Sequence, residues 1–565
     1  MSVFMSLQQL DQLPRDFIKR KVLINLEQTK YKVIEEAVQL LEWKITPSDI
    51  ECHIFWKDTY VTDEEYRRLL PYQRINHFPG SYMLGKKNEL CRNLNRMRKM
   101  FPDDYDFFPR TWQLPYQSEE VRQKQGTGIF IVKPEANCQG RGIFLTKKLD
   151  PFLDKHYVVQ EYLSNPYLID GLKFDLRIYV LLKSIHPLKI FMYQEGLARF
   201  STKKYVKPQK KNLGSVTMHL TNYAINKRSK DFIFNNDTNK DDVGHKRSLT
   251  SVLKYLQDQG QDVKQLLNQI KQVIVKTIQS VQGELSHLYR SQQHNNDGIE
   301  QCFELFGFDI LLDSSLKPWL LEVNHTPSFS TDTPLDKIIK RNLIRDTLIL
   351  LDVKNKPKKI YLEQKRAPIY QRPIKMSLEE KEKQSAKMSH FEEKHLNGYI
   401  KIYPDENKDY YEQFMPPKPK ERENRESMII QQLEQFKNVE RAIKSQAEVK
   451  LPQQKKNAKR LSTNQSFSDL DGQSLQQLTG RNAVIPQTRT TSQQRPFSSI
   501  TTINRTISAV RKTALANQYQ NLNTSQNQKR LVYPPPAELP PKPVYKMIPI
   551  KTFSFQKIEN NQKNE

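Results

Sequence analysis

The sequence predicts a mixed α/β protein with a long unstructured C-terminal end. A strand, a helix and a second strand follow one another before residue 57, which is typical of an α/β domain. Between residues 128 and 323, short apolar runs of strand length recur around one long amphipathic helix. After about residue 450 the chain is rich in Gln, Asn, Ser and Thr, a composition that cannot bury enough apolar surface to fold.

The N-terminal α/β domain is expected to cover residues 1–125. Residues 21–26 (KVLINL) form a short apolar run, and residues 50–56 alternate in polarity as a half-buried strand does. Residues 29–43 carry apolar side chains at helical spacing. These are Val33, Ile34, Ala37, Leu40 and Leu41.

The middle of the chain is expected to form two further domains, residues 126–185 and 186–352. Apolar runs predict strands at residues 128–134, 142–147, 157–163, 174–182, 188–193, 302–313 and 316–323. Residues 263–281 are amphipathic at helical spacing. The dipeptide Ser314–Ser315 predicts a tight turn that makes the last two strands neighbours.

Past residue 352 the chain becomes basic. Residues 354–375 carry eight Lys or Arg and one Glu, and their prolines favour an irregular linker. Charged helices are predicted over residues 376–395 and 421–446. We therefore expect a basic helical segment over residues 353–446, followed by a disordered tail over residues 447–565.

Charge and cysteine usage restrict the function further. The net charge is +27 and the pI is near 9.6, which favours a polyanionic partner such as nucleic acid, an anionic membrane or an acidic protein surface. The four cysteines lie far apart without a CxxC pair, which argues against a disulfide framework or a zinc site. No signal peptide and no apolar run of roughly 20 residues stands out, so a soluble intracellular protein is expected.

The first candidate constellation is Lys133 with the loop from Gln139 to Gly142. Lys133 ends an apolar strand, and Gly140, Arg141 and Gly142 precede the next one. A lysine held by a strand can reach nucleotide phosphates, and glycines let backbone N–H groups approach them closely. An ordinary β-hairpin with a Gly-rich turn explains the same pattern equally well.

The second constellation is a strand with three charges on one face. Lys173, Asp175 and Arg177 alternate with apolar residues, so all three side chains point the same way. The preceding segment 160–163 (QEYL) ends a strand and can line an adenine pocket with backbone groups. The alternative is a half-buried strand with cross-strand ion pairs.

The third constellation is Asp309, Glu322 and Asn324. Glu322 and Asn324 share one strand face, and the short turn before them can bring Asp309 alongside. Two carboxylates and an amide oxygen suit Mg²⁺. A buried polar network or an exposed strand face is the alternative. Arg199 and the segment 221–223 (TNY) indicate little by themselves.

In this order, the segments KPEANCQGRGIF, QEYLSNPYLIDGLKFDLRIYV, EGLARF, MHLTNYAINK and FGFDILLDSSLKPWLLEVNHTPSF resemble the tubulin tyrosine ligase-like family. The resemblance covers roughly residues 19–352 and implies an ATP-grasp catalytic core. The block NGYIKIYPDENKDYYEQFM is similar to the cationic microtubule-binding segment of that family's autonomous polyglutamylases. No single motif decides this, but their joint occurrence is specific.

The resemblance implies a role for each matching position. It places ATP at Lys133, Gln139, Gly140, Arg141, Gly142, Gln160, Glu161, Tyr162, Leu163, Lys173, Phe174, Asp175, Thr221 and Asn222. It places Mg²⁺ at Asp309, Glu322 and Asn324, and free glutamate at Arg199, Tyr223, Lys246 and Lys340. Gln139 and His325 would face the acceptor peptide, a pair similar to that of the chain-elongating enzymes. Lys133, Lys173, Arg177 and Glu322 would carry the catalysis.

The implied activity is ATP-dependent polyglutamylation through an acyl phosphate on a tubulin tail glutamate. Implied partners are microtubules and free L-glutamate, with no nucleic acid or membrane partner, and a monomer in the cytoplasm at the cytoskeleton, cilium, axoneme or basal body is expected. The alternatives are a glycine ligase, a glutamate ligase for a non-tubulin acidic protein, or a non-catalytic microtubule-binding protein. Deleting residues 354–446 is predicted to weaken microtubule binding and to leave ATP binding intact.

Overall fold

Three β-sheets organise the part of the chain that the computed structural model describes, residues 20–124, 126, 128–135, 140–237, 240–292, 300–366 and 377–415. The strands are β1 (Leu23–Gln28), β2 (Lys44–Ile45), β3 (Ile54–Lys57), β4 (Arg74–Ile75), β5 (Thr111–Gln113), β6 (Phe130–Pro134), β7 (Phe144–Thr146), β8 (Tyr157–Glu161), β9 (Leu168–Ile169), β10 (Leu172–Ile185), β11 (Leu188–Phe200), β12 (Lys246–Ser248), β13 (Glu304–Leu312), β14 (Pro318–Asn324) and β15 (Tyr399–Tyr403). The helices are α1 (Lys32–Leu40), α2 (Asp63–Arg68), α3 (Tyr82–Gly85), α4 (Lys87–Met100), α5 (Ser118–Gln123), α6 (Val216–His219), α7 (Tyr223–Asn226), α8 (Leu249–Asp258), α9 (Val263–Gln292), α10 (Pro334–Leu350), α11 (Lys356–Arg366), α12 (Leu378–Lys394) and α13 (Lys408–Glu412). Asp150–Phe152 is a short 3-10 helix. The predicted mixed α/β class is confirmed.

The N-terminal sheet is parallel, with strand order β2-β1-β3-β4. Helix α1 joins β1 to β2 and buries Val33, Ile34 and Ala37, as the helical spacing predicts. The strand expected over residues 50–56 is shorter and begins only at Ile54, because residues before it form a turn in which the Cys52 N–H donates to the Ser48 carbonyl.

A second, antiparallel sheet has the order β5-β8-β6-β7 and carries the predicted lysine-loop hairpin. Strand β6 ends with Lys133 and Pro134, and its partner β8 carries Gln160 opposite Ile131. The sheet has its own apolar core, which includes Trp112, Phe130 and Val132.

The largest sheet runs β12-β11-β10-β13-β14, with β9 on β10 and β15 on β11. Alternate residues of its long strands enter two separate cores. Ile178 and Val180 pack in the core that contains α9, whereas Tyr179 and Leu181 pack in the core that contains α10. Both faces of the sheet are therefore covered, and α9, predicted over 263–281, extends to Gln292.

The expectation of an irregular linker over residues 354–375 is wrong for its first half, where α11 forms. Pro357 is the second residue of α11, a position where the missing N–H has no intrahelical acceptor to lose. Tyr361 of α11 packs against Tyr72 with ring centroids 5.5 Å apart. The charged helix predicted next is confirmed as α12, which begins after a capping box at Ser377 and Glu380.

The segment after α12 is part of the largest sheet. Strand β15 pairs antiparallel with β11, and Tyr399 is buried there. Glu392 of α12 is buried against two lysines of the sheet, forming ion pairs with Lys183 and with Lys189 at 2.9 Å. Deleting residues 354–446 would therefore strip a strand and these ion pairs from the sheet, so that variant does not isolate microtubule binding. The helix predicted at 421–446 and the tail at 447–565 lie outside the described residues.

Two expectations from the sequence concern membrane-spanning segments and the state of the cysteines. Along the described residues, no helix combines the length and the apolarity that a membrane crossing requires. Cys52, Cys91 and Cys302 are buried free thiols, and burial raises the pKa of Cys52 and of Cys91 to about 12.

Candidate active site

The β13–β14 hairpin brings the predicted metal ligands together. Asp309 lies opposite Glu322 in the antiparallel register, and Asn324 follows two residues later on the same face. The Asn324 Nδ2 donates to Asp309 Oδ2 at 3.4 Å and to Glu322 Oε1 at 3.5 Å. Rotating that amide by 180° would place its oxygen between the two carboxylates.

Two arginines from the neighbouring strands hold Asp309. Arg177 of β10 donates from Nη2 to Asp309 Oδ2 at 3.0 Å, and Arg199 of β11 lies 2.8 Å from the same oxygen. Arg199 also donates from Nε to Asp175 Oδ1 at 3.1 Å. Gly307 makes room for this arrangement, because a Cβ there would lie only 3.0 Å from Arg177 Cδ.

The surrounding charges and burial shift the pKa values of the Asp309 and Glu322 carboxyl groups in opposite directions. Burial would raise the pKa of Asp309, but Arg177 and Arg199 hold that pKa well below its usual range. Burial, reinforced by the Asp309 carboxylate, raises the pKa of Glu322 instead. A divalent cation beside Glu322 would favour its ionised form, and these oxygen donors are of the kind that Mg²⁺ prefers.

The donor set therefore fits Mg²⁺ as an incomplete site. Among the described residues, no group of three or more His, Cys, Asp or Glu side chains is placed to hold a metal. Asp309, Glu322 and Asn324 supply two carboxylates and one amide, so phosphate oxygens or water would have to complete the shell.

Two buried lysines face a narrow cavity of about 60 Å³ between the antiparallel sheet and the largest sheet. Lys133 donates to Gln160 Oε1 at 2.9 Å. Lys173 donates to the Tyr162 hydroxyl at 3.0 Å and to the His219 carbonyl at 2.9 Å. Burial lowers the pKa of Lys133 to about 8 and that of Lys173 to about 7. Their charges are thus poorly compensated, and an anionic ligand would stabilise them.

The remaining predicted nucleotide positions divide into two groups. Those that line the narrow cavity are Gln160, Glu161, Tyr162, Leu163, Asp175, Thr221 and Asn222. Phe174 does not line it: its ring stacks on Phe200 at 5.2 Å in the apolar core, on the opposite face of β10. Only the backbone of Phe174 could contribute to a nucleotide site there.

Gly140, in the described part of the predicted glycine loop, lies close to Asn222 and Ile225. Gly140 and Gly142 have φ values of +78° and +71°, the left-handed region that glycine tolerates best. A Cβ on Gly140 would lie 2.5 Å from Ile225 Cδ1 and 3.2 Å from Asn222 Cγ. Arg141 is exposed, and Gln139 lies outside the described residues.

A second cluster joins three of the predicted glutamate-binding residues. Lys246 Nζ lies 3.5 Å from the centre of the Tyr223 ring and 2.5 Å from Asp336 Oδ2. Lys340 Nζ lies 2.8 Å from Asp336 Oδ1. Asp336 is fully buried and holds both ammonium groups side by side. Arg199, predicted to join them, is already paired with two aspartates.

A cleft of about 630 Å³ connects these groups. It is lined by Lys133 and Glu322 at one end, by Lys246 and Lys340 further along, and by His325. Nine Lys or Arg residues line it against three Asp or Glu residues. A surface of that sign favours anionic ligands.

Sequence reasoning missed Asp336, which sets the spacing of the two lysines. Its signal is the start of α10, where Thr333 is the N-cap and accepts a hydrogen bond from the Asp336 N–H. An acidic residue at that position is ordinarily a helix-capping feature, so the pattern alone does not indicate a role in the cleft.

Comparison with known proteins connects this geometry to a family. Residues 61–360 match the model of the tubulin-tyrosine ligase family, which is more than half of the chain. The chain belongs to the tubulin-tyrosine ligase family. The family resemblance seen in the motifs is thereby confirmed, and the matched residues include Lys133, Lys173, the β13–β14 hairpin and Asp336.

Several relatives of the family are similar over 70% of the chain. A probable beta-tubulin polyglutamylase of Tetrahymena thermophila is 49% identical over 417 residues, which is 35% of that protein. Tubulin polyglutamylase TTLL13 of Mus musculus is 42% identical over 414 residues, or 51% of its length. Tubulin polyglutamylase TTLL6 of Homo sapiens is 41% identical over 408 residues, or 45% of its length. The chain thus spans between about a third and about half of these relatives.

Proposed function

We propose that this chain is an ATP- and Mg²⁺-dependent ligase with an ATP-grasp core that adds L-glutamate to glutamate side chains of tubulin tails. The supporting observation is one cleft that joins two buried lysines, an oxygen-donor hairpin and a second basic cluster. Similarity to proteins named tubulin polyglutamylases supports the acceptor.

The nucleotide would lie in the narrow cavity with its phosphates towards the hairpin. Lys133 and Lys173 would contact the phosphates, since both are buried cations that face this cavity. Asp309, Glu322 and Asn324 would hold Mg²⁺, which would supply electrostatic stabilisation of the phosphoryl group. Arg177 keeps Asp309 ionised and oriented through its bidentate contact.

The reaction proceeds in two displacements. An acceptor carboxylate oxygen attacks the ATP γ-phosphorus, the bond to the ADP oxygen breaks, and an acyl phosphate forms. The amine of free glutamate then attacks the acyl carbon, phosphate leaves with both electrons of the C–O bond, and the amine loses a proton as the amide forms. The chain contributes by alignment and by charge placement.

The donor glutamate would bind at the basic cluster around Asp336. Lys246 and Lys340 together outweigh that single carboxylate, so the cluster keeps a net positive charge for a substrate carboxylate. A glycine donor needs one fewer cation, which makes glutamate the better match. Arg199 would share its guanidinium with Asp175 and Asp309 rather than serve the substrate alone.

His325 would face the acceptor, and with Gln139 it underlies our proposal that existing branches are elongated. Microtubule docking would involve three exposed lysines of α11, Lys356, Lys359 and Lys365, called the α11 lysines below. Their attraction to an acidic lattice weakens as salt rises. From the family resemblance, we further propose that the chain acts at the cytoskeleton, including a cilium, axoneme or basal body.

The test is glutamate incorporation by the purified chain with microtubules, ATP and Mg²⁺, read by mass spectrometry of the tails. Glu322→Gln removes a proposed metal ligand and should abolish incorporation. Glu284→Gln is the matched control, because the ion pair of Glu284 with Arg96 is exposed on both sides and lies outside the proposed site. Folding of each variant is checked by its melting temperature.

Two substrates and two donors separate the outcomes. Unmodified and singly glutamylated microtubules distinguish initiation from elongation, and labelled glycine competes as a donor. Absence of glutamate incorporation on both substrates by the unmodified chain would refute the proposal. Incorporation of glycine alone would show that the donor is wrong while the ligase chemistry is right.

A further inference from the structure

Gly85 and His325 meet at one wall of the large cleft. Gly85 is the last residue of α3, and His325 directly follows β14, whose last residue is the proposed Mg²⁺ ligand Asn324. Both residues line the cleft, and both are partly exposed to it. The imidazole occupies the position where a residue other than glycine would carry its Cβ, and Nδ1 is the ring atom nearest to that position.

A side chain at Gly85 is excluded by the imidazole itself. A Cβ built there would lie 2.6 Å from His325 Cγ and 2.9 Å from Cε1, with Nδ1 closer still. Real Cβ contacts essentially never fall below 3.0 Å, so the ring would have to move. The three heavy atoms nearest to this position all belong to the His325 ring.

The backbone gives no other reason for glycine at this place. Gly85 has helical geometry, and its φ is not among the left-handed values found at Gly80, Gly140 and Gly142. The missing side chain leaves a space, and the atoms that come nearest to it are those of the His325 ring.

Packing, rather than hydrogen bonding, sets the position of the ring. Within the described part of the chain, neither ring nitrogen of His325 has a hydrogen-bond partner. His325 also lines a smaller cavity with Trp56, His77 and Phe329. Because Nδ1 is the ring atom nearest to the Gly85 Cβ position, Nε2 is the nitrogen left to meet a ligand, as a donor or an acceptor according to the tautomer.

We propose that Gly85 is a positioning residue for the acceptor: it holds the His325 imidazole in the cleft so that a ring nitrogen meets the acceptor carboxyl or its peptide group. The inference rests on the proposed function for its ligand. It does not depend on that function for the contact between Gly85 and His325.

The experiment is a double-mutant cycle of Gly85→Ala and His325→Ala, with Gly214→Ala as the control. Gly214 has no atom within 4 Å of its Cβ position, so its substitution meets nothing. Initial rates are measured against the concentration of glutamylated microtubules, beside the ATP dissociation constant. A misplacement of about 1 Å near a reacting centre costs about a hundredfold in rate, so Gly85→Ala should lower kcat/KM for the acceptor by that order.

The cycle distinguishes positioning from a general loss of structure. We expect Gly85→Ala and His325→Ala to be non-additive: the second substitution should add no further loss once the imidazole is gone, and ATP binding should stay unchanged. Additive losses, an unchanged Gly85→Ala enzyme or weakened ATP binding would each overturn the proposal. If Gly85→Ala alone fails to fold, recovery of folding in the double variant supports the contact, and continued misfolding overturns it.

An NMR experiment on the histidine rings distinguishes a failure of the Gly85–His325 proposal from a failure of the proposed function. In protein labelled with ¹³C-histidine, the resonance lost in His325→Ala should shift in Gly85→Ala and stay in place in Gly214→Ala. An unshifted resonance would refute the contact even in an active enzyme. An inactive unmodified chain whose resonance shifts as expected would instead refute the proposed function and leave the positioning contact standing.

Discussion

Replacing Asp336 by Asn tests the basic cluster directly. The substitution keeps the shape of the side chain and removes the carboxylate charge that pairs with both Lys246 and Lys340. Both lysines are 7% exposed at their side chains, and Asp336 is 0% exposed, so water cannot replace the lost charge. Thr333, which also donates to this carboxylate at 2.9 Å, would keep its partner.

The expected size follows from burial. Two charged pairs with N···O separations of 2.5 and 2.8 Å lose their anion, and breaking a buried pair from one side costs about 3–5 kcal/mol. The melting temperature should fall by about 5 °C or more, given that 1 kcal/mol moves a domain of 150–250 residues by about 2–4 °C and a larger body by less. With its two ammonium groups displaced, the enzyme should also show a higher KM for glutamate.

The pH dependence has a definite sign. Burial by itself would raise the pKa of Asp336, but Lys340 and Lys246 hold that pKa below its ordinary value. A carboxyl with a depressed folded-state pKa stabilises the protein above its unfolded pKa, about 3.9, and loses that contribution as pH falls through the folded value. The difference in melting temperature between the unmodified chain and Asp336→Asn should therefore be full at neutral pH and shrink in acid.

Calorimetry of Asp336→Asn beside Asp332→Asn provides the assay. Asp332 lines the same cleft, but its ion pair with Lys227 is partly exposed on both sides, so its loss should cost less than about 1 kcal/mol. Equal melting temperatures for the two variants, or an unchanged KM for glutamate with Asp336→Asn, would refute the reasoning.

Three further predictions concern charge. Burial lowers the pKa of Lys173 to about 7, so the affinity for ATP should fall as pH rises through that value. ATP-binding titrations at several pH values check this prediction. The Lys173→Met variant should bind ATP weakly, and its affinity should not depend on pH. Glu392→Gln leaves Lys183 without its buried partner and should cost about 3–5 kcal/mol of stability in thermal melts, whereas the exposed neighbour Glu393→Gln should melt like the unmodified chain. Replacing the α11 lysines by Ala should weaken microtubule pelleting at low salt and flatten its salt dependence without changing ATP affinity; unchanged pelleting would exclude α11 from docking.

The site was predictable where its signal is local. The β13–β14 hairpin follows from two apolar runs and a two-residue turn, and the strand period then places Asp309 beside Glu322. The alternation around Lys173 likewise predicts its face. In contrast, the partners of Arg199 were not predictable, because Asp175 and Asp309 reach it from other strands.

The remaining differences between prediction and structure arise where one sequence pattern is compatible with two structures. Asp336 has the pattern of a helix-capping residue, and only the placement of α10 against β12 brings it to Lys246. The prolines near α11 indicate a linker, although Pro357 falls where a helix accepts it. The pairing of β15 with β11 joins residues about 200 positions apart, and no local pattern specifies such a partner.

That late pairing has a consequence for how the protein is made. While the ribosome synthesises the chain, residues 190–193 of β11 lack their β15 partner until roughly 200 more residues have emerged, a delay of about 10–40 s at about 5–20 residues per second. An open strand edge is a template for pairing with another nascent chain. Messages truncated between codons 353 and 398 should therefore yield aggregating products, and a recombinant fragment should extend to at least residue 415 to be soluble.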